Sequence, residues 1–238
     1  YSTEHIRTDN RLLKFFEEHP DVILDGELFK RLKSLQQISG AARMEKNAVD
    51  CDWLEYWIYD CYIPDMCAVD RQDFLQEQLA EVDIPSYTGI ECDEVDEPVR
   101  LLTQVHVLSG WEGMQKLHDQ YVSEGFEGVV IRNPERPYKP GGRTNDMIKI
   151  KEYKSSEFLV TGYELGLRGS EDMTFICETE DGIVFKAMPV GDRAVKAEYV
   201  ENFEEKYEGH MAECTYFNLS DEGVPTQPKL RVFRFDLE

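Results

Sequence analysis

The 238-residue sequence has no long apolar run, no paired cysteines and few basic residues for its many acids. No stretch approaches the roughly 20 apolar residues of a membrane-spanning helix, and the N-terminus lacks a signal pattern, so we expect no membrane contact. The six cysteines form no Cys-x-x-Cys pair and the five histidines are scattered, which disfavours structural zinc. A chain of this size with 11% aromatic residues can build a core without disulfides, so reduced thiols and a cytoplasmic location are expected.

The formal net charge of −22 argues at first against a nucleic-acid partner, because phosphate contacts need lysine and arginine. Two segments depart from this acidic average. From Arg132 to Lys151 six basic residues stand against two acidic ones, and Lys229, Arg231 and Arg234 have no acid between them. Such islands in an acidic chain indicate either a focused anion-binding site or an ordinary salt-bridged surface.

The hydrophobic pattern divides the chain into two parts. Strands and helices alternate as far as about Tyr153, after which short strands are separated by turn sequences that contain glycine. Five short strands and a helical interlude over 194–207 favour a small barrel such as an OB-fold. The predicted fold class is α+β: residues 1–152 form mixed or antiparallel sheets with helices, and residues 153–238 form a small all-β domain.

The same pattern predicts the individual elements. Helices are expected over 11–18, 68–80 and 111–124, while 34–44 is undecided between helix and loop and the acidic segment 83–98 is expected to be a loop. Strands are expected over 22–29, 53–63, 99–108, 128–132, 146–151, 158–165, 173–178, 183–188, 211–219 and 230–235.

Two acidic segments contain residues of the kind that bind nucleotides. Asp25-Gly26-Glu27 ends an apolar strand, and Glu127 leads the apolar strand that ends at Arg132. Each has a plain structural explanation, since an acid with glycine is a common turn and a glutamate at a strand entrance is usually a solvated cap.

Lys149 and Lys151 form a third segment, which strand alternation points to one face. Two like charges side by side cost stability unless a polyanion or carboxylates face them; an exposed strand face is the alternative. The fourth segment, Tyr59-Asp60, lies in an aromatic strand, and aromatic rings there more often belong to a core than stack on a ligand.

In order and spacing, these segments resemble motifs of the covalent nucleotidyltransferases, the superfamily of ATP-dependent DNA ligases, RNA ligases and mRNA capping enzymes. Asp25-Gly26-Glu27 resembles motif III, Tyr59-Asp60 motif IIIa, the segment from Glu127 to Arg132 motif IV, and Lys149-Ile150-Lys151 motif V. The stretch from Tyr138 to Arg143 is also ligase-like. The resemblance covers nearly the whole chain and implies an ATP-grasp-like nucleotidyltransferase domain followed by an OB-fold.

The resemblance also implies the chemistry. In this family a lysine attacks the α-phosphate of ATP and retains AMP, which passes to a 5′-phosphate before a 3′-hydroxyl displaces it. Charge builds on the transferring phosphate, so cations must already be in position. The implied roles are phosphate binding by Lys149 and Lys151, binding of Mg²⁺ or the ribose by Glu27 and Glu127, stacking on adenine by Tyr59, nucleotide binding by Arg132, and nucleic-acid binding by Arg143, Lys229, Arg231 and Arg234.

The chain contains no Lys-x-Asp-Gly, the superfamily's motif I, which carries the lysine that accepts the nucleotide. Tyr1-Ser2-Thr3 resembles the remains of the short Ser-Arg motif that follows motif I, with Thr3 where arginine is usual and Arg7 as a substitute. We therefore expect a chain that is incomplete at its N-terminus. A degenerate homologue that only binds nucleic acid is the alternative.

The leading hypothesis is a monomeric ATP-dependent ligase that uses ATP and Mg²⁺ to seal 5′-phosphate/3′-hydroxyl nicks in duplex DNA. RNA ligases and mRNA capping guanylyltransferases share the motifs and remain alternatives. DNA ligase is favoured by the sequence at 34–40 and by the ending at 223–234, which resembles that of small viral and bacterial DNA ligases. A viral or bacterial source is expected on the same ground.

Overall fold

The computed structural model describes residues 3–31, 33–44, 51–88, 97–105, 107 and 110–236. The chain divides into two compact units, Tyr1–Lys151 and Glu152–Glu238. Tyr1 and Ser2, compared above with a Ser-Arg motif, lie outside the described residues, as does half of the acidic segment, at 89–96. Among the described helices, none is long and apolar enough to cross a membrane.

The first unit contains five helices and six strands among its described residues. The helices are α1 (Glu4–Arg7), α2 (Asn10–Glu18), α3 (Leu35–Arg43), α4 (Ala68–Ala80) and α5 (Gly110–Ser123); the strands are β1 (Ile23–Phe29), β2 (Glu55–Tyr62), β3 (Ser86–Tyr87), β4 (Val99–Leu102), β5 (Gly128–Arg132) and β6 (Met147–Lys151).

Two sheets organise this unit. Four strands form a mixed sheet in the order β1-β2-β4-β3, in which β1 and β2 are antiparallel and the other neighbours are parallel. The strands β5 and β6 form a separate antiparallel pair. Phe15 of α2, Ile58 of β2 and Leu75 of α4 are fully buried members of one apolar core. The predicted mixture of helices with mixed and antiparallel sheets is confirmed.

The undecided segment 34–44 is helical because its first turn is capped at both positions. The Ser34 hydroxyl accepts a hydrogen bond from the Gln37 backbone N–H at 3.2 Å, and the Gln37 amide oxygen accepts one from the Ser34 backbone N–H at 3.0 Å. This reciprocal pair satisfies two amide hydrogens that the start of a helix leaves without partners. Such a capping box is readable from sequence, but it was not used in the prediction above.

Two predictions around β4 are wrong. The predicted strand 99–108 ends at Leu102, and the predicted loop 83–98 contains the two-residue strand β3. The physical reason is the length of the neighbouring strands. Only Tyr56 to Ile58 of β2 pair with β4 on one side, and β3 pairs with it on the other only as far as Leu102, so pairing stops there. The predicted residues 106 and 108 lie outside the described part of the chain.

The second unit is a closed five-stranded barrel. Its elements are β7 (Lys154–Gly166), β8 (Gly169–Glu178), β9 (Val184–Pro189), α6 (Arg193–Glu201), a π-helical segment (Phe203–Tyr207), β10 (Met211–Tyr216) and β11 (Lys229–Arg234). The strand order around the barrel is β10-β11-β9-β8-β7. Alternate residues such as Phe175 and Cys177 fill the interior, and Phe203 and Tyr207 add to that core. The barrel expected for an OB-fold is confirmed.

The strands of the barrel differ from the prediction at their ends. The strands β7 and β8 continue to a tight turn at Leu167-Arg168, where Gly169 has a φ of +64°, a conformation that suits glycine. The hairpin is therefore longer than predicted at both strands. β10 ends at Tyr216 rather than at Leu219, which forms an isolated bridge with Pro225.

Candidate functional site

A bulge in β2 sets the geometry of the acidic segment on β1. Asp25 pairs with Asp60 and Gly26 pairs with Ile58, so Tyr59 is an extra residue between them. Such a bulge locally bends and twists a strand and re-aims its side chains. A Cβ atom at Gly26 would lie 2.6 Å from the Trp57 carbonyl oxygen, which explains why glycine separates the two acids.

The strands β5 and β6 gather three cations on one face. Val130 pairs with Lys149, Gly128 with Lys151 and Arg132 with Met147, and paired residues share a face of an antiparallel ladder. The predicted placement of Lys149 and Lys151 on one face is confirmed. The opposite face is apolar and consists of Val129, Ile131, Ile148 and Ile150.

Glu127 is the carboxylate that faces the two lysines. Its Oε2 atom lies 2.5 Å from the Lys151 Nζ atom and 3.7 Å from the Lys149 Nζ atom. One carboxylate therefore faces two ammonium groups on this face. The side chains of Lys149 and Glu127 are about half exposed, so a ligand can reach them, whereas the side chain of Lys151 is 15% exposed.

Packing of aromatic rings brings Glu127 toward the mixed sheet. Phe126 lies next to Glu127 in sequence, and its ring centroid is 6.2 Å from that of Phe29 and 6.1 Å from that of Trp57. Phe29 and Trp57 themselves meet edge to face at 5.0 Å. Trp57 pairs with Glu27 across β1 and β2. The start of β5 is thus packed on the sheet face that carries Glu27.

Asp60 is a buried acid that joins three elements. It is 1% exposed and accepts hydrogen bonds from Arg71 Nε at 2.8 Å and Arg71 Nη2 at 3.0 Å. Arg132 of β5 also donates to it, through Nη1. Burying a charge costs a great deal unless it is paired and hydrogen-bonded, and the two guanidinium groups supply that pairing.

Arg132 is therefore directed to Asp60 and to the ring of Tyr59. Its guanidinium carbon lies 5.7 Å from the centroid of that ring, within cation–π distance. Burial lowers the pKa of the Arg132 guanidinium, while the Asp25 carboxylate acts in the opposite direction. Arg132 contacts the predicted stacking residue.

Tyr138 connects the segment between β5 and β6 to Asp25. Its hydroxyl donates to Asp25 Oδ2 at 2.8 Å, and its ring lies 5.5 Å from the guanidinium carbon of Arg71.

Burial raises the pKa of Tyr59 to about 12, and the nearby Asp25 carboxylate adds to the effect. The Tyr59 hydroxyl is therefore protonated at neutral pH.

Asp25, Asp60 and Tyr138 lay inside the segments singled out from sequence, but no role was predicted for them. Arg71 was missed because it lies on α4, outside those segments. Its signal was an arginine on the buried side of a helix with an imperfect apolar face, which requires an acidic partner.

The basic residues predicted to contact nucleic acid differ in what already binds them. Arg143 and Lys229 are exposed, and Arg231 Nε donates to the Thr215 hydroxyl at 3.0 Å. Arg234 is ion-paired with Glu157 and Asp236. Within the described ranges, no group of three or more histidine, cysteine, aspartate or glutamate side chains could hold a metal ion.

Comparison with known proteins gives a consistent family. The model of the ATP dependent DNA ligase domain matches residues 2–151. A DNA ligase of African swine fever virus is 27% identical over 232 residues, covering 90% of this chain and 51% of the viral protein. A DNA ligase of Archaeoglobus fulgidus is 26% identical over 160 residues, covering 62% of this chain and 26% of the archaeal protein. The chain thus spans about half the length of the viral relative.

Solved structures with the same fold extend over both units. A Lig E DNA ligase aligns over 89% of this chain and 76% of its own, with a TM-score of 0.68 and 18% identity. The structure named Pmar-Lig_Pre aligns over 94% of this chain and 54% of its own, with a TM-score of 0.71 and 17% identity. At these identities the likeness is one of fold.

Proposed function

The chain belongs to the ATP dependent DNA ligase domain family, and we propose that it carries the nucleotide-binding core and OB-fold of a ligase that seals nicks in duplex DNA. The observation that carries the proposal is the cationic face of β5 and β6. There Lys149 and Lys151 both approach the half-exposed carboxylate of Glu127, and two cations on one face suit a phosphate that takes the place of that carboxylate. The DNA ligases among its relatives make DNA the favoured substrate over RNA.

The proposed roles follow from the contacts. Lys149 and Lys151 hold the α-phosphate of ATP and stabilise the charge that builds on it during transfer. Tyr59 stacks on adenine, and Arg132 supports it by its cation–π contact. Because a phosphate competes with Glu127 for the two lysines, nucleotide binding frees that carboxylate for another partner.

Mg²⁺ fits the carboxylate oxygens that become available when a phosphate displaces Glu127 from the two lysines. Glu127 is about half exposed and Glu27 is exposed, and Mg²⁺ is usually held by one or two carboxylates together with phosphate oxygens and water. We propose that these two glutamates bind it. The ion would neutralise charge on the transferring phosphate, while the lysines orient that phosphate.

The final step of sealing can be tested on this chain directly, because it needs no nucleotide-accepting lysine. The 3′-hydroxyl oxygen attacks the 5′-phosphorus of an adenylated nick, a new phosphodiester bond forms, and the bond to AMP breaks. We expect the 238-residue chain with Mg²⁺ to seal a pre-adenylated nick in duplex DNA without ATP. No sealing, with the protein folded and bound to the nick, would contradict the proposal.

Lys151→Ala probes the cationic face in that assay. We expect sealing to fall by roughly a hundredfold or more, as when a preorganised electrostatic donor is removed. Thermal stability should fall far less than sealing does, because the substitution removes one ion pair and a largely buried aliphatic stem. Lys186→Ala, which removes a lysine paired with Glu164 on the barrel, is the control and should keep full activity.

Nucleotide and substrate choice separate the related activities. The native gene product, with its N-terminus determined first, should form a covalent adduct with labelled ATP and seal nicked DNA. Labelling by GTP alone would point instead to a capping guanylyltransferase, and sealing of RNA alone to an RNA ligase. We further propose that the protein acts as a monomer in a reducing, cytoplasmic setting, which sedimentation and thiol titration would check.

A further inference from the structure

A ring of six side chains includes Tyr59, the residue proposed to stack on adenine. Five of its links are hydrogen bonds, ion pairs or ring contacts, and they run through Asp25, Tyr138, Arg71, Asp60, Arg132 and Tyr59. The ring closes at the bulge of β2, where Tyr59 lies between the residues that pair with Asp25 and Gly26. Two acids and two arginines make it electrically balanced.

Arg71 is the member that holds both halves of this ring. Its Nε and Nη2 atoms donate to Asp60, its Nη1 atom donates to the Met66 carbonyl at 2.7 Å, and its guanidinium carbon lies 5.5 Å from the centroid of the Tyr138 ring. Its side chain is only 3% exposed. A planar guanidinium can do all of this at once, whereas a lysine offers one point charge.

The consequence for Arg132 is electrostatic. With Arg71 in place, Asp60 is held by two cations, and Arg132 is fixed where its guanidinium meets the Tyr59 ring. Without Arg71, Asp60 would keep Arg132 as a cationic partner, and Arg132 would be drawn toward the buried carboxylate. The Tyr138 ring would lose its support at the same time.

We propose that Arg71 is a positioning residue for nucleotide binding, which acts through Asp60 on Arg132 and through Tyr138 on Asp25 to fix the ring of Tyr59. The inference rests on the proposed function. It concerns recognition of the base rather than of the phosphates, because Glu127, which pairs with both lysines of β6, is not one of the six residues.

The experiment compares two probes on the folded 238-residue chain. Calorimetry should show roughly tenfold weaker binding of ATP to Arg71→Met, with binding of inorganic tripolyphosphate unchanged. Lys151→Ala should weaken both probes. General damage to the domain would also weaken both, so equal losses for Arg71→Met would overturn the proposal. Unchanged ATP binding would overturn it as well.

A double-mutant cycle tests the route. If Arg71 acts through Asp60, Arg71→Met combined with Arg132→Met should bind ATP no more weakly than Arg132→Met alone. The control is Arg100→Met, which removes an equally buried arginine paired with Glu55 at 2.9 Å in the same unit. Its effect should add to that of Arg132→Met. Additive losses for Arg71→Met would contradict the proposed route.

Three further variants keep the test open if Arg71→Met does not fold. Arg71→Lys retains the charge and should restore part of the ATP affinity relative to Arg71→Gln. Tyr138→Phe removes only the hydrogen bond to Asp25 and should weaken ATP binding selectively; wild-type affinity in both Arg71→Gln and Tyr138→Phe would overturn the inference. If the unmodified chain binds neither probe, the proposed function itself fails.

Discussion

Gln72 of α4 carries a buried side-chain amide that lacks hydrogen bonds among the described residues. It is 6% exposed, and neither atom of its amide has a hydrogen-bond partner among the described residues. Because a buried unsatisfied amide costs roughly 1–3 kcal/mol, we expect Gln72→Met to unfold at a higher urea concentration, with a gain of about 1 kcal/mol in unfolding free energy.

Gln37→Met is the matched control for that substitution. Gln37 lies on α3 and its amide oxygen is bonded to the Ser34 backbone N–H, so its loss should cost about 1 kcal/mol. A comparable loss for Gln72→Met would mean that its amide is satisfied in solution, for instance by an ordered water.

Tyr56 and Tyr59 make the first unit sensitive to alkali. Burial raises the pKa of each to about 12, with a further contribution from the Asp25 carboxylate. The folded protein keeps these protons where the unfolded chain loses them, so the stability they add is complete below a pH of about 10 and is lost as the pH rises through 12. Urea unfolding across this range should show the decline, and Tyr56→Phe should flatten it; an unchanged slope would contradict the assignment.

The site was predictable from sequence where strand alternation or a short motif fixed a residue, and not where a side chain crossed between elements. Lys149 and Lys151 fell on one face because the period of a strand is two. The partner of Arg132 could not be foreseen. Asp60 sits beside the bulged Tyr59, and a bulge changes the direction of neighbouring side chains in a way that alternation does not predict.

Among the elements, the pair of β5 and β6 depends on one glycine. Gly128 has a φ of +147°, and a Cβ atom there would lie 2.1 Å from the Ile150 carbonyl oxygen. Gly128→Ala should therefore separate the two strands beside Glu127 and Lys151. We expect a loss of several kcal/mol in unfolding free energy and loss of ATP binding.

Gly40→Ala shows what the same change does without strain. Gly40 lies inside α3, and a Cβ atom there would meet nothing within 4 Å. The substitution should stabilise the protein by about 0.5–1 kcal/mol, because alanine loses less backbone freedom in a helix. Thermal unfolding of both variants would check the pair; a tolerated Gly128→Ala would argue that the strands can part there without cost.

Element boundaries were predicted correctly only where the local sequence determines where the element ends. The helix over 68–80 was predicted with the bounds it has, and β5 likewise. β4 was predicted too long because its end is set by its neighbours, one of which is the two-residue strand β3. The length of a strand depends on its neighbours in the sheet, so it cannot be predicted from the sequence of that strand alone.

At the scale of the whole molecule, an acidic protein is proposed to bind a polyanion. The net charge of −22 repels DNA at long range, so binding must rest on local cations and should weaken steeply with salt. The barrel offers three candidates that differ in what already binds them. Lys229 is exposed, Arg231 donates to a neutral hydroxyl, and Arg234 is paired with two carboxylates.

These differences rank the contributions of the three residues to DNA binding. Lys229→Ala and Arg231→Ala should each weaken binding to nicked duplex and lower the slope of log K against log salt by about one, because each removes one phosphate contact. Arg234→Ala should change the slope little, since Glu157 and Asp236 already neutralise that guanidinium. Fluorescence anisotropy over a salt series would measure all three. If Arg234→Ala lowered the slope most, the two ion pairs would have to open on binding, and its predicted role in nucleic-acid contact would outrank that of Lys229.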